Sequence, residues 1–263
     1  MKNMTIWNIA RACKGHLAVP AGKHTGTCPA AGMAVIRGYS GKEAAGIVID
    51  SRKVEPGDIF VAIRGERVDG HQFIREVFDK GAIAVVCEEE PEELPGPCIR
   101  VEDSLAALRQ IAAFYREQMP IPIVGITGSV GKTSTKEFVA SVLAQKYKTH
   151  KTQGNFNNEI GVPLTLLAMP EDTEVAVLEM GMNHFREMAY LSSIGRPDIA
   201  VIVNIGTAHI EFLGSQAGIR QAKMEIVEGM PENGTLLLNG DDRMLRELSQ
   251  TPRQRIVYFG SDE

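Results

Sequence analysis

The chain has 263 residues, 44% of them hydrophobic, enough for one or two ordinary cores. A formal net charge of −5 argues against a nucleic-acid footprint. No apolar run approaches the roughly 20 residues of a membrane span, and residues 1–12 lack the apolar centre of a signal peptide. The four cysteines, Cys13, Cys28, Cys87 and Cys98, form no C-x-x-C pair and read as reduced thiols of a cytoplasmic protein.

In chain order, residues 5–14 carry helical spacing in Ile6, Ile9, Ala10 and Cys13. Residues 20–43, rich in glycine and small side chains, read as an irregular or hairpin insertion. Two strands, 46–49 and 58–63, flank the turn Glu55-Pro56-Gly57-Asp58. A helix over 69–80 carries Phe73, Ile74, Val77 and Phe78 on one side, and 82–87 is a buried strand. The acidic stretch 88–97 reads as a solvated loop, and Asp103 or Ser104 caps a helix running to 118. Pro120 and Pro122 stop that helix and mark a boundary between two expected domains, 1–119 and 123–263.

Beyond the boundary, apolar runs alternate with helical patterns. Strands are expected at 123–126, 147–151, 175–178, 199–203, 235–238 and 256–259, and helices at 133–145, 160–168, 186–194, 216–230 and 243–248. Such alternation implies an α/β fold, a small mixed unit followed by a parallel sheet covered on both faces. Ligands of such sheets bind beyond the carboxyl ends of the strands, so the residues there carry the functional question.

The first of those strands runs into GITGSVGKTS, residues 125–134. Strand, glycine-rich turn and helix together suit a phosphate-binding loop: Thr127, Gly128, Ser129, Val130, Gly131, Lys132, Thr133 and Ser134. Gly128 and Gly131 let several N–H groups face one anion, Lys132 can reach terminal phosphates, and the Thr133 hydroxyl can ligate Mg²⁺. The common spacing requires glycine at 126, where this chain has Ile126. Glu179 follows the strand VAVL and suits Mg²⁺ directly or through water. Asn204 and His209 follow the strand at 199–203; a lone histidine is more often structural. Lys223, in QAKMEIVEG, reads blandly as a solvated helix lysine. Asn155, Asn157 and Asn158, in QGNFNNEIG, read equally as ligand contacts or as turn caps.

In this order, TGSVGKTS, GNFNNEIGVPLTLL, EMGMNHFREM, NIGTAHIEFLGS and AKMEI resemble the ATP-dependent Mur ligases of peptidoglycan synthesis. IDSRKVEPGDIFVAIRGERVDGHQF, residues 49–73, resembles the UDP-binding domain of two branches of that family. The asparagine loop and HIEFLGS point to the branch that joins D-alanyl-D-alanine to UDP-N-acetylmuramoyl-tripeptide. Five motifs in order are specific, and outside residues 20–43 the resemblance covers nearly the whole chain.

The resemblance implies a role for each matching position. By it, residues 127–133 bind ATP phosphates, and Thr133, Glu179, His209 and a carbamylated Lys223 serve Mg²⁺. Ser51 and Arg52, with the backbone of Gly65, Glu66, Arg67 and Val68, form the uridine-diphosphate pocket. Asn155, Asn157 and Asn158 face the peptide-bearing substrate. The protein is expected to be a cytoplasmic monomer. Its ATP-binding domain is expected to be incomplete and a third domain absent, so that the 263-residue chain alone has no ligase turnover. Arg186 stands where the family pattern leads one to expect glycine. Another Mur-type amino-acid ligase, folylpolyglutamate synthase, a nucleotide switch and a non-catalytic UDP-sugar- or nucleotide-binding fragment remain as rival readings.

Overall fold

The computed structural model describes residues 1–20, 38–39, 41–65, 68–248 and 252–261. Most of the expected insertion at 20–43 therefore lies outside the described residues, as do Cys28, Glu66 and Arg67. The chain forms two compact units, Met1–Tyr115 and Arg116–Glu263.

The first unit opens with helix α1 (Ile6–Ala12), whose N-cap Thr5 accepts the Asn8 N–H. Strand β1 (His16–Ala18) follows, then β2 (Ile47–Val48), β3 (Ile59–Val61), helix α2 (Ile74–Asp79), β4 (Ala84–Cys87), β5 (Cys98–Arg100) and helix α3 (Ser104–Glu117). The sheet order is β1-β5-β4-β3-β2. Strands β2 to β5 run parallel and only β1 is antiparallel. Strands β3 and β4 are buried throughout, which is why they read as unbroken apolar runs. Phe60, Ala62, Val77, Val85, Cys87 and Cys98 form the core. Because β2 and β3 are parallel neighbours, the residues after each emerge at the same sheet edge: Asp50–Arg52 from one, Arg64, Gly65 and Val68 from the other.

The second unit contains β6 (Ile123–Thr127), helix α4 (Lys132–Leu143), β7 (Thr149–Lys151), α5 (Gly161–Leu167), β8 (Val175–Glu179) and α6 (Glu187–Gly195). It continues with β9 (Ile199–Ile202), α7 (Ile210–Leu213), α8 (Gln216–Met224), β10 (Thr235–Asn239), α9 (Arg243–Arg246) and β11 (Arg255–Phe259). All six strands are parallel, in the order β11-β10-β9-β6-β8-β7. Val124, Ile126, Ala140, Val177 and Val201 pack α4 onto the sheet. The chain first steps to one side of β6, then crosses at β9 to the other. The loops after β6, β8 and β9 therefore meet at the switch point of the sheet, where ligands of this architecture bind.

Several boundaries differ from the sequence expectations. Strands β1 and β5 have three residues each and were not expected. The expected helix at 69–80 is a 3-10 turn, Gly70–Phe73, followed by α2. The expected helix at 216–230 ends at Met224 and tightens into a 3-10 turn, Glu225–Gly229. That tightening has a cause: the Glu225 carboxylate accepts the N–H groups of Arg186 and Ala189.

Candidate functional site

Strand β6 ends at Thr127, and Gly131 turns the chain into α4 with φ +82, a left-handed conformation that glycine adopts without strain. No side chain caps α4, so its first N–H groups and positive dipole end face outward. Asn204, just past β9, clasps the loop. Its Oδ1 accepts the N–H groups of Ser129 (3.1 Å) and Val130 (3.0 Å), and its Nδ2 donates to the Val130 carbonyl (3.1 Å). The Ser129 hydroxyl in turn accepts the Gly206 N–H at 2.8 Å. Two loop N–H groups are thus engaged with Asn204, which leaves the start of α4 to meet an anion. Thr133 and Ser134 are exposed there.

Lys132 is half-buried and its Nζ donates to the Gly128 carbonyl at 2.9 Å. Burial lowers its pKa and the neighbouring Glu179 partly restores it. Glu179 is only 2% exposed. Its backbone N–H donates to the Thr152 hydroxyl (2.9 Å), and its Oε1 accepts from Asn157 Nδ2 (2.8 Å). Its Oε2 is buried without a hydrogen-bond partner. The Lys136 ammonium, 1% exposed, stands 3.9 Å from that oxygen. Lys223, also 2% exposed, pairs with no carboxylate among the described residues. Desolvation, with repulsion from Lys132 second, brings it down to about 7. Lys132, Lys136 and Lys223 outnumber the carboxylates beside them, Glu179 and Glu137, and so make a site that attracts polyanions.

The oxygen donors fit a hard divalent cation. The orphaned Glu179 Oε2 and the exposed Thr133 hydroxyl supply what Mg²⁺ takes from protein when phosphates and water complete its shell. Among the described residues no three His, Cys, Asp or Glu side chains gather as a preformed cage. His209 opens α7 with φ +65, and its imidazole is partly buried and makes no hydrogen bond among the described residues.

The asparagine loop is engaged mainly with the protein itself. Asn157 holds Glu179, and its carbonyl accepts the Gly181 N–H at 2.8 Å. Asn158 Oδ1 accepts the N–H groups of Ile160 and Gly161 at the head of α5. A Cβ at Gly161 would lie 2.3 Å from the Phe156 carbonyl carbon, so the loop folds back only over glycine. Asn155 is exposed. Arg186 takes φ +71, the backbone state that explains why a glycine suits this turn; its guanidinium pairs with Glu228 at 2.7 Å.

In the first unit, Ser51 is buried and its carbonyl accepts from Lys80 Nζ at 2.9 Å. Arg52 lies exposed, forked onto Asp50 through Nε (2.9 Å) and Nη2 (2.8 Å), and this holds the Asp50 carboxyl down at about 2. Gly65 N–H donates to the Val68 carbonyl at 3.0 Å. His71 Nε2 accepts the Glu88 N–H, so its proton sits on Nδ1, facing Asp69 at 2.6 Å.

Sequence reasoning missed Lys136 and Thr152. The signal for Lys136 was present: it lies four residues after Lys132 and so on the same helix face. Thr152 had no such signal, since it meets Glu179 only through the pairing of β7 with β8.

A parallel sheet whose first strand feeds a glycine loop and an uncapped helix defines an α/β phosphate-loop protein. Residues 126–263 match the Mur ligase middle domain, and residues 43–116 match the catalytic domain of the Mur ligase family. The chain belongs to the Mur ligase family. It is 43% identical over 251 residues to the UDP-N-acetylmuramoyl-tripeptide–D-alanyl-D-alanine ligase of Bacillus subtilis, covering 94% of this chain and 50% of that one. The crystal structure of MurF from Acinetobacter baumannii shares the fold with a TM-score of 0.80, at 31% identity over 97% of this chain and 53% of that chain. The MurF ligase of Thermotoga maritima, solved in complex with ADP, gives 0.75 at 38% identity, over 81% and 50%. The chain spans about half the length of the relatives it matches.

Among the described residues, no helix is long and apolar enough to cross a membrane.

Proposed function

We propose that this protein is a cytoplasmic, monomeric, ATP-dependent ligase that joins D-alanyl-D-alanine to UDP-N-acetylmuramoyl-tripeptide. The observation that carries the reading is the cluster of Lys132, Glu179 and Lys223 at the switch point beside an uncapped helix. It sits in a chain 43% identical to a ligase of that name.

A carboxylate is a poor acyl donor. In the proposed reaction the terminal phosphoryl group of ATP passes to the tripeptide carboxylate, giving an acyl phosphate and ADP. The amine of D-alanyl-D-alanine then attacks the acyl carbon, the amide forms, and phosphate leaves. The protein must hold several negative charges together. Lys132 and the first N–H groups of α4 gather the ATP phosphates, while Gly128 to Ser134 shape the loop. Thr133 and Glu179 would hold Mg²⁺, with His209 and a carbamylated Lys223 alongside; when bound, it would supply positive charge against the developing charge of the transferring phosphoryl group. A protonated Lys223 would repel a metal, whereas a carbamate reverses the sign and offers oxygen. Its burial without a carboxylate partner supports that modification. Ser51, Arg52, Gly65 and Val68, with Glu66 and Arg67 between them, take the uridine diphosphate. Exposed Asn155 faces the peptide, and Asn157 and Asn158 stiffen the loop that carries it.

Thermal denaturation tests the reading. Mg·ATP and UDP-N-acetylmuramoyl-tripeptide are each expected to raise the midpoint, and saturation at 100 times Kd corresponds to about 2.7 kcal/mol. UDP alone should give a smaller rise. A rise with Mg·ATP and none with the UDP-tripeptide would remove the ligase reading and leave a nucleotide-binding protein. Sustained ADP formation, beyond a single turnover, should require both the tripeptide and D-alanyl-D-alanine.

A further inference from the structure

Lys136 is among the largest fully buried side chains, yet nothing in the proposed reaction uses it. Its Nζ donates to the Thr152 carbonyl at 2.8 Å, stands 3.1 Å from Glu137 Oε1, and stands 3.9 Å from Glu179 Oε2. Thr152 links the same two residues a second time, because its hydroxyl accepts the Glu179 N–H at 2.9 Å. Asn157 Nδ2 occupies the other oxygen of Glu179. The carboxylate is therefore fixed on one side by an amide and faced on the other by an ammonium. Oε2 is held towards that cation without a hydrogen bond to it.

We propose that Lys136 is a positioning residue: a built-in cation that offsets the charge of the buried Glu179 and keeps its carboxylate aimed while no divalent ion is bound. A buried carboxylate without a counter-charge is costly, and so is a buried ammonium. Placing the two at ion-pair rather than hydrogen-bond distance offsets both charges and leaves Oε2 free for a metal. At 1% exposure Lys136 does not itself reach a phosphate in solvent. When a cation arrives at Oε2, it takes over the neutralisation of Glu179, and Lys136 retains Thr152 and Glu137. This inference rests on the nucleotide-site reading above, since it assigns Glu179 to the metal.

A lysine that only tied α4 to β7 through Thr152 would behave differently. Its loss would lower stability by the same amount whatever the charge on Glu179. The test compares wild type, Lys136→Met, Glu179→Gln and the double variant by thermal denaturation, each without ligand and with saturating Mg·ADP. The proposal expects the midpoint deficit of Lys136→Met to at least halve in the Glu179→Gln background, where no charge needs offsetting. With Glu179 intact, Mg·ADP should also at least halve that deficit, while ADP with a chelator should not. Lys136→Arg, which keeps the cation, should recover most of the ligand-free midpoint. Equal deficits in both backgrounds would overturn the proposal, as would equal deficits with and without Mg·ADP. If Lys136→Met does not fold, a folded double variant supports the idea and an unfolded one overturns it. Failure of the nucleotide reading looks different: wild type itself would then show no shift with Mg·ADP.

Discussion

Lys132→Ala is expected to weaken Mg·ATP binding by about 30-fold or more and to cost no more than about 1.5 kcal/mol of stability. In the ligand-free chain its ammonium makes one hydrogen bond, to the Gly128 carbonyl, from a half-buried position. A single bond from an ammonium, at this half-exposed position, contributes about 1.5 kcal/mol, the low end of the range for charged groups. Against a triphosphate the same ammonium faces charged oxygens where water is partly excluded, and losing one partner of such a pair costs about 2–5 kcal/mol. Each 1.4 kcal/mol is about tenfold in affinity. Titration calorimetry on the two chains decides the matter. Equal affinities would remove Lys132 from the phosphate site, and an unfolded variant would mean that the Gly128 bond matters far more than its geometry suggests.

The second large effect concerns Lys223 and pH. Burial, with Lys132 adding repulsion, sets its pKa at about 7 against an ordinary value of 10.5. Below about 7 the folded and unfolded chains both carry the proton, and the folded chain bears the full cost of a buried ammonium. Between about 7 and 10.5 only the unfolded chain holds the proton, so stability rises with pH across that window. A lowering of that size corresponds to roughly 5 kcal/mol. Lys223→Met should therefore stabilise the ligand-free chain by about 5 kcal/mol at pH 6, and by progressively less as pH approaches 10. Urea unfolding at pH 6 and pH 9 measures this; parallel pH profiles for the two chains would contradict it. The neutral amine is also the form that reacts with CO₂. A carbamate carbon signal from ¹³C-labelled bicarbonate should appear in the wild type and be missing from Lys223→Met.

Much of the parallel sheet is legible in the sequence, because strands buried on both faces read as unbroken apolar runs: VAVLE in β8 and IAVI in β9. β1 and β5 are not legible, since three residues cannot establish a period. The break after Met224 is hidden for a different reason. Glu225 turns away to serve the N–H of Arg186, 39 residues earlier in the chain. The site divides along the same line. Gly131, Lys132 and Glu179 are marked by their place after a strand. The Glu179–Lys136–Thr152–Asn157 cluster exists only once β7, β8 and α4 have packed. Asn158 fills the bland role of helix cap that its residue type always offered. Arg186 keeps a turn whose φ of +71 suits glycine, and it does so with its side chain exposed and paired to Glu228.

The central claim is that nucleotide phosphates bind where the loops after β6, β8 and β9 converge. An amide-resolved NMR titration of the ¹⁵N-labelled chain with Mg·ADP tests it most directly. The expected result is saturable shifts of Gly128, Gly131, Lys132 and Thr133, accompanied by Met180 and Asn204, with little change in β2 to β5. Saturable shifts confined to other residues, or none at millimolar Mg·ADP, would contradict the account.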